Sequence, residues 1–276
     1  MHVSAYATSV QPASLGGLRS AAAEVAGNRE LFYSLVRREL ALRYRHAPIG
    51  VAWALFMPLL TTVIFSLVFT RVVRLDTAAP YPVFAYSGLL AWHFFASTLR
   101  AASTSLSAHG SLITKVYFPR ELLPLSSLVT ALADFAVGAV VLGAMMAVFG
   151  IRPTVALVFL PVVIGVQVAF TAGLAFLLAL GNALYRDLRH VVEVVLTLWM
   201  YATAVLYPVD RIGGIIGGVL QVNPMTVIVE AHRSVLLYGE LPATLPFALT
   251  ALLSVLVLAG GWLVFHRGEG DLAERI

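Results

Sequence analysis

The chain has 276 residues, 60% of them hydrophobic and 12% charged, with a mean hydropathy of +0.90. Soluble domains are roughly half apolar and a quarter charged, so no water-soluble domain is expected here. The absence of cysteine excludes disulfides, thiolate metal sites and cysteine nucleophiles, and the net charge of +4 is informative mainly through where the arginines fall.

Residues 1–29 read as a cytoplasmic tail: they are Ala- and Ser-rich and lack the basic, apolar and small-residue order of a signal peptide. Over residues 30–46 the spacing predicts an amphipathic interface helix. At about 100° per residue, Phe32, Tyr33, Val36, Leu40 and Tyr44 share one side, while Glu30, Ser34, Arg37, Arg38 and Arg45 share the other. Arg43 interrupts the apolar stripe. Such a helix lies along the membrane surface with its arginines toward headgroups or a cytosolic partner.

Residues 47–266 carry six nearly charge-free stretches: Ile49 to Thr70, Thr77 to Leu99, Leu122 to Ile151, Pro153 to Tyr185, Val194 to Val209 and Leu241 to Phe265. Crossing a hydrocarbon layer ~30 Å thick takes about 20 apolar residues at ~1.5 Å each, so an all-α membrane protein with six transmembrane helices is expected. Between the second and third stretches, Ser107 to Leu125 is too polar to span and too apolar for a linker. It predicts a surface helix ending near Lys115, with Pro119 and Glu121 suited to the first turn of the next helix. Tyr185 to Arg189 forms a second short cytoplasmic turn. Ile212 to Val229 is uncharged but short, glycine-rich and broken by Asn223-Pro224, which predicts a re-entrant helical hairpin over about 212–229 on the outer side. Small residues four apart, such as Ala139 and Gly143, allow close helix approach.

With both termini inside, and 267–276 as a cytoplasmic tail, twelve basic residues face the cytoplasm and Arg71, Arg74, Arg152, Arg211 and Arg233 face outward. Arg100 sits near the end of the second span. This imbalance satisfies the positive-inside rule.

Catalytic chemistry is missing. The only lysine is Lys115, preceded by Leu112-Ile113-Thr114, so no nucleotide-binding G-x-x-x-x-G-K-[ST] loop exists and the chain cannot hydrolyse ATP by itself. There is no H-E-x-x-H pair, G-x-S-x-G elbow or carboxylate cluster at metal spacing. Asp134 lies midway along the third stretch and reads as a packing or hydrogen-bonding residue; Glu193 reads as a cytoplasmic-boundary residue beside Arg189 and His190. Two isolated acids make a poor proton relay. Aromatics are plentiful in the first, second and fifth stretches, and either belts facing lipid or rings lining a channel would account for them.

The stretch RRELALRYRHAPIGVAWALFMPLL, Arg37 to Leu60, resembles the opening signature of the ABC type-2 exporter permeases. LITKVYFPRELLPLSSLV, Leu112 to Val129, is similar to that family's segment between spans two and three. Tyr185-Arg186-Asp187-Leu188 and Asn223-Pro224-Met225-Thr226 match it after span four and before span six. The K-V-Y-F-P-R-E-L-L-P-L form and YPVFAYSGLLAWHFF are most similar to exporters of lipid-linked polysaccharide such as O-antigen, capsule or teichoic acid. The resemblance implies a homodimer in the bacterial inner membrane with two copies of a separate ABC ATPase subunit. ATP and Mg²⁺ would be bound on that subunit, with no cofactor in this chain and no nucleic-acid partner. It also implies that the interface helix and Ser107 to Arg120 dock on the ATPase, and that spans one and five line the polymer path.

The docking candidates are Arg37, Arg38, Glu39, Arg45, Lys115, Phe118, Arg120, Glu121, Arg186 and Asp187; the channel candidates are Trp53, Phe56, Tyr86, Trp199, Tyr201 and Tyr207. The competing readings are an exporter of capsule, teichoic acid or a small amphipathic compound, a membrane scaffold for glycan assembly, and a secondary carrier.

Overall fold

A computed structural model describes residues 27–44, 50–72, 77–110, 118–209 and 212–272, and every regular element among them is helical. In chain order these are α1 (Arg29–Tyr44), α2 (Gly50–Leu67), α3 (Tyr81–Ala108), α4 (Leu122–Val148), α5 (Leu160–Leu184), α6 (Leu188–Tyr201), α7 (Gly214–Val222), α8 (Pro224–Arg233) and α9 (Thr244–Leu272). Wider π turns extend α2 over Val68–Val72 and α8 over Ser234–Tyr238, and a 3₁₀ turn at Val155–Phe159 leads into α5. Prolines stand in the first turns of α3, α5 and α8, where the missing N–H would have no helical partner anyway.

Among the described residues, three helices are long and apolar enough to cross a bilayer: Leu122–Val148, Val155–Leu184 and Thr244–Glu269. A shorter apolar helix covers Pro58–Arg71. Helix α3 has the length, at 28 residues, but carries His93 and many aromatic, Ser and Thr side chains. The reason is its position. It packs against α2, α4, α5, α6 and α8, and most of its side chains are buried by them rather than by lipid. Inside that sheath its hydroxyls bond to carbonyls one turn back, Ser87 to Phe84 at 2.9 Å and Thr98 to Phe94 at 2.8 Å. Gln167 Nε2 of α5 donates to the Ala91 carbonyl at 2.7 Å, tying the two helices deep in the bundle.

The most extensive helix pair is α5 with α9. Their backbones meet where a Cβ on Gly173 would overlap the Val257 carbonyl and one on Gly261 would overlap Gly173 itself. Without side chains at those points the helices gain dispersion contacts that lipid cannot supply. Within the chain, Gly143 makes no such crossing, because a Cβ there would meet nothing within 4 Å.

Helix α1 packs on α4, but its buried stripe is turned from the expected one. Leu35 and Val36 are covered, whereas Tyr33 is 68% exposed. The rotation lets the Glu39 carboxylate accept from Ser126 Oγ at 2.8 Å and Thr130 Oγ1 at 3.1 Å. The fifth stretch is also broken. Helix α6 starts earlier than expected, at Leu188, and ends at Tyr201; residues 202–208 are irregular, and the short helices α7 and α8 follow, joined at Asn223.

Candidate coupling face and translocation wall

The docking candidates separate into outward and inward groups. Arg37, Arg38, Arg186 and Asp187 are exposed. Phe118 is buried among Leu35, Leu106, Leu122, Phe176 and Phe265, Glu39 is bonded to α4 as described, and Glu121 is 4% exposed. Arg120 is half-buried and its Nη1 donates to the Glu269 carbonyl at 2.5 Å. Arg45 and Lys115 lie outside the described residues. Phe118, Arg120 and Glu121 thus fasten the start of α4 to α1 and to the end of α9. A coupling element needs such rigid backing as well as an exposed contact surface.

At that junction His266 Nδ1 lies 3.3 Å from Glu121 and 3.1 Å from Glu269, and its ring stacks on Trp262 at 5.1 Å. The three side chains have donor atoms within 4.8 Å of one another, so they could hold a metal ion. Their mutual polar contacts already account for the arrangement.

The channel candidates also divide. On α2, Phe56, Leu60, Val63, Ile64 and Leu67 form one exposed apolar face, with Phe56 at 48%. On α6, Val191, Val194, Val195, Leu198 and Tyr201 form another, with Tyr201 at 61%. Leu198 and the valines carried no aromatic signal and were invisible as channel candidates in the sequence. Their one-turn spacing along α6 is what reveals the stripe. Trp199 points the other way, edge-on to Phe95 and Phe170, and Tyr86 is 1% exposed with its hydroxyl on the Gly138 carbonyl at 3.3 Å. Tyr207 is half-buried and donates to the Tyr201 carbonyl at 2.7 Å. The side chain of Trp53 lies outside the described residues.

Glu193 has a partner that sequence proximity concealed. Its carboxylate pairs at 2.9 Å with Nε of Arg100, from α3, rather than with Arg189 or His190. Arg189 Nε instead lies 3.2 Å from His190 Nε2.

Arg233, counted in the sequence among the outward-facing charges but in fact fully buried, and Asn223, read there only as a helix break, hold the irregular backbone after α6. Arg233, fully buried, donates to Ala204 O at 2.8 Å, Val205 O at 2.5 Å, Phe84 O at 3.3 Å and Glu230 at 2.6 Å. Its Cζ also sits 3.5 Å above the Phe84 ring centroid, a cation–π contact. Carbonyls freed from a helix need such donors where water is scarce, which explains why residues 202–208 can be non-helical yet mostly buried. Gly88 makes room for this packing: a Cβ there would be 2.6 Å from both Arg233 Nη2 and the Val205 carbonyl. Asn223 is the second device. Its Oδ1 caps α8 through the Met225 N–H at 3.0 Å and accepts Trp199 Nε1 at 3.1 Å, while Nδ2 donates to Ala202 O at 2.7 Å and Thr203 Oγ1 at 3.1 Å.

Residues 30–237 match the family model described as ABC-2 type transporter. The O-antigen export system permease protein RfbA of Myxococcus xanthus is 34% identical over 250 residues, covering 90% of this chain and 96% of that protein. A protein of the same name from Klebsiella pneumoniae is 29% identical over 77% of this chain and 82% of its own length. The helical bundle, the exposed faces of α2 and α6 and these matches agree: this chain belongs to the ABC-2 type transporter family.

Proposed function

We propose that the chain is the membrane-spanning permease of an ATP-driven exporter that moves a lipid-linked, O-antigen-like polysaccharide out of the cytoplasm. The observation that carries this reading is the similarity, over nine-tenths of the chain, to a protein named as an O-antigen export permease. In this reading α2, α3, α4, α5, α6 and α9 are the six spans of a bacterial inner-membrane protein with cytoplasmic termini, and α7 with α8 is the outer re-entrant hairpin. Two copies pair so that the exposed faces of α2 and α6 enclose the polymer path, with Phe56 and Tyr201 as its aromatic wall. Apolar rings there would stack on sugar C–H surfaces without holding any one sugar tightly.

The power comes from two separate ATPase subunits that bind ATP and Mg²⁺ and seat against Arg37, Arg38, Arg186 and Asp187. Closure of those subunits pushes α1 and the start of α4, which Phe118 and Glu121 lock into the bundle. Coupling requires that the ATPase contact the two permease states differently. Reversing both Arg37 and Arg38 to Glu is expected to lower ATPase co-purification while leaving membrane insertion unchanged. Export of labelled polymer by the purified chain in vesicles without any ATPase would refute the reading, as would full ATPase recovery with the reversed arginines.

A further inference from the structure

A cleft of about 750 Å³ opens between α4 and α5, apart from the faces assigned to transport. Leu142, Met146, Leu160 and Ile164 wall it, the buried Phe135, Ser87 and His232 line it from within the bundle, and the exposed Arg152 lines it just beyond the end of α4. From Phe135 to Gly150 is fifteen residues of chain, almost all in α4, or about 22 Å at 1.5 Å per residue. One leaflet of hydrocarbon is about 15 Å deep, so the cleft runs the depth of a leaflet plus part of the headgroup layer. Its flank is low because Gly143 and Ala147 are exposed, and a Cβ on Gly143 would meet open space. Arg152 is exposed and has no ion-pair or hydrogen-bond partner among the described residues, and no carboxylate lines the cleft.

We infer that this cleft binds one acyl chain of an anionic phospholipid of the outer leaflet, with the phosphate against Arg152. The inference rests on the membrane placement proposed above. A mostly apolar slot of leaflet length, with the exposed Arg152 at headgroup height as its one arginine, is complementary to that lipid in both shape and charge. A zwitterionic lipid has a cationic group that Arg152 repels, so anionic headgroups are favoured. The low flank at Gly143 and Ala147 admits the chain sideways from the bilayer. A lipid seated there fills space between α4 and α5 that no side chain occupies.

The test is native mass spectrometry of the full chain released from vesicles of equimolar phosphatidylglycerol and phosphatidylcholine. The expected result is one retained lipid per protomer, with phosphatidylglycerol favoured about five-fold, the factor that one basic side chain near an anionic headgroup supplies. Arg152→Gln should bring the two lipids to near-equal retention. Gly143→Phe, and separately Ala147→Phe, should abolish retention while circular dichroism shows unchanged helicity. Wild-type retention of both lipids alike, or unchanged retention in both Phe variants, would overturn the inference. Preferential retention of a polyisoprenyl phosphate added to the vesicles would also overturn it. Because the chain has no cysteine, Arg152→Cys labelled by an impermeant maleimide reads the sidedness separately. Labelling only from the cytoplasmic face would overturn the outer-leaflet assignment and the topology, whatever the retention result.

Discussion

Replacing Arg233 with Leu should be among the most damaging single changes in this chain. The substitution keeps an apolar volume beside Phe84 but removes the side-chain donors to the carbonyls of Ala204 and Val205, leaves the Phe84 carbonyl with Ser87 Oγ, and deprives Glu230 of its 2.6 Å partner. Stranding a buried carbonyl costs about 1–3 kcal/mol when nothing replaces the donor. Two stranded carbonyls would set an upper bound of about 6 kcal/mol, and Glu230, about one-third exposed, can turn to water. With part of that recovered by relaxation, a net loss of about 3–5 kcal/mol is expected. At roughly 2 °C per kcal/mol for a chain of this size, the midpoint of thermal unfolding should fall by about 6–10 °C. The assay is the loss of tryptophan near-ultraviolet dichroism with temperature in detergent, run beside Glu230→Gln. A midpoint within about 2 °C of wild type would refute the claim that Arg233 holds the backbone after α6.

Gly88→Ala should destabilise through the same locus by forcing Arg233 and the Val205 carbonyl apart, and a melting shift of several degrees with Arg233 intact would show it. Asn223→Ala removes four hydrogen bonds at the α7–α8 junction and should cost about 2–4 kcal/mol, more than the 0.5–2 kcal/mol of an isolated cap. Asn223→Asp, which keeps the acceptor oxygen but loses the donor, should fall between the two in melting midpoint. Gly261→Leu should split the α5–α9 crossing and lower the yield of monodisperse protein in size-exclusion chromatography. Removing the pair Arg100–Glu193 by Glu193→Gln should change stability by less than about 1 kcal/mol, because both side chains are at least 40% exposed, and denaturant titration checks this.

The helical class and the main elements were legible because long apolar runs bounded by arginines have few physical solutions in lipid. The two breaks in the apolar pattern were legible too: Asn223-Pro224 marks the junction of α7 and α8, and Pro119 with Glu121 precedes α4. What the pattern concealed depends on long-range partners. Trp199 and Tyr201 look equivalent in sequence, yet one turns inward to Phe95 and Asn223 and the other outward, because α6 packs on α3 through only one face. Glu39 and Glu121 read as surface charges, but their bonds go to Ser126, Thr130 and His266 in elements distant along the chain. The early end of α6 was hidden for a similar reason. Residues 202–209 are apolar enough to continue a helix, and it is Arg233, 29 residues further on, that makes a different backbone affordable.

Asn223 bonds at once to Trp199 on α6, to Ala202 and Thr203 just beyond it, and to the first turn of α8. The junction of α7 and α8 and the end of α6 are therefore one solid piece. Any displacement of α6 must carry α7 and α8 with it; under the export mechanism proposed above, one stroke would move both together, with no second actuator needed for α7 and α8.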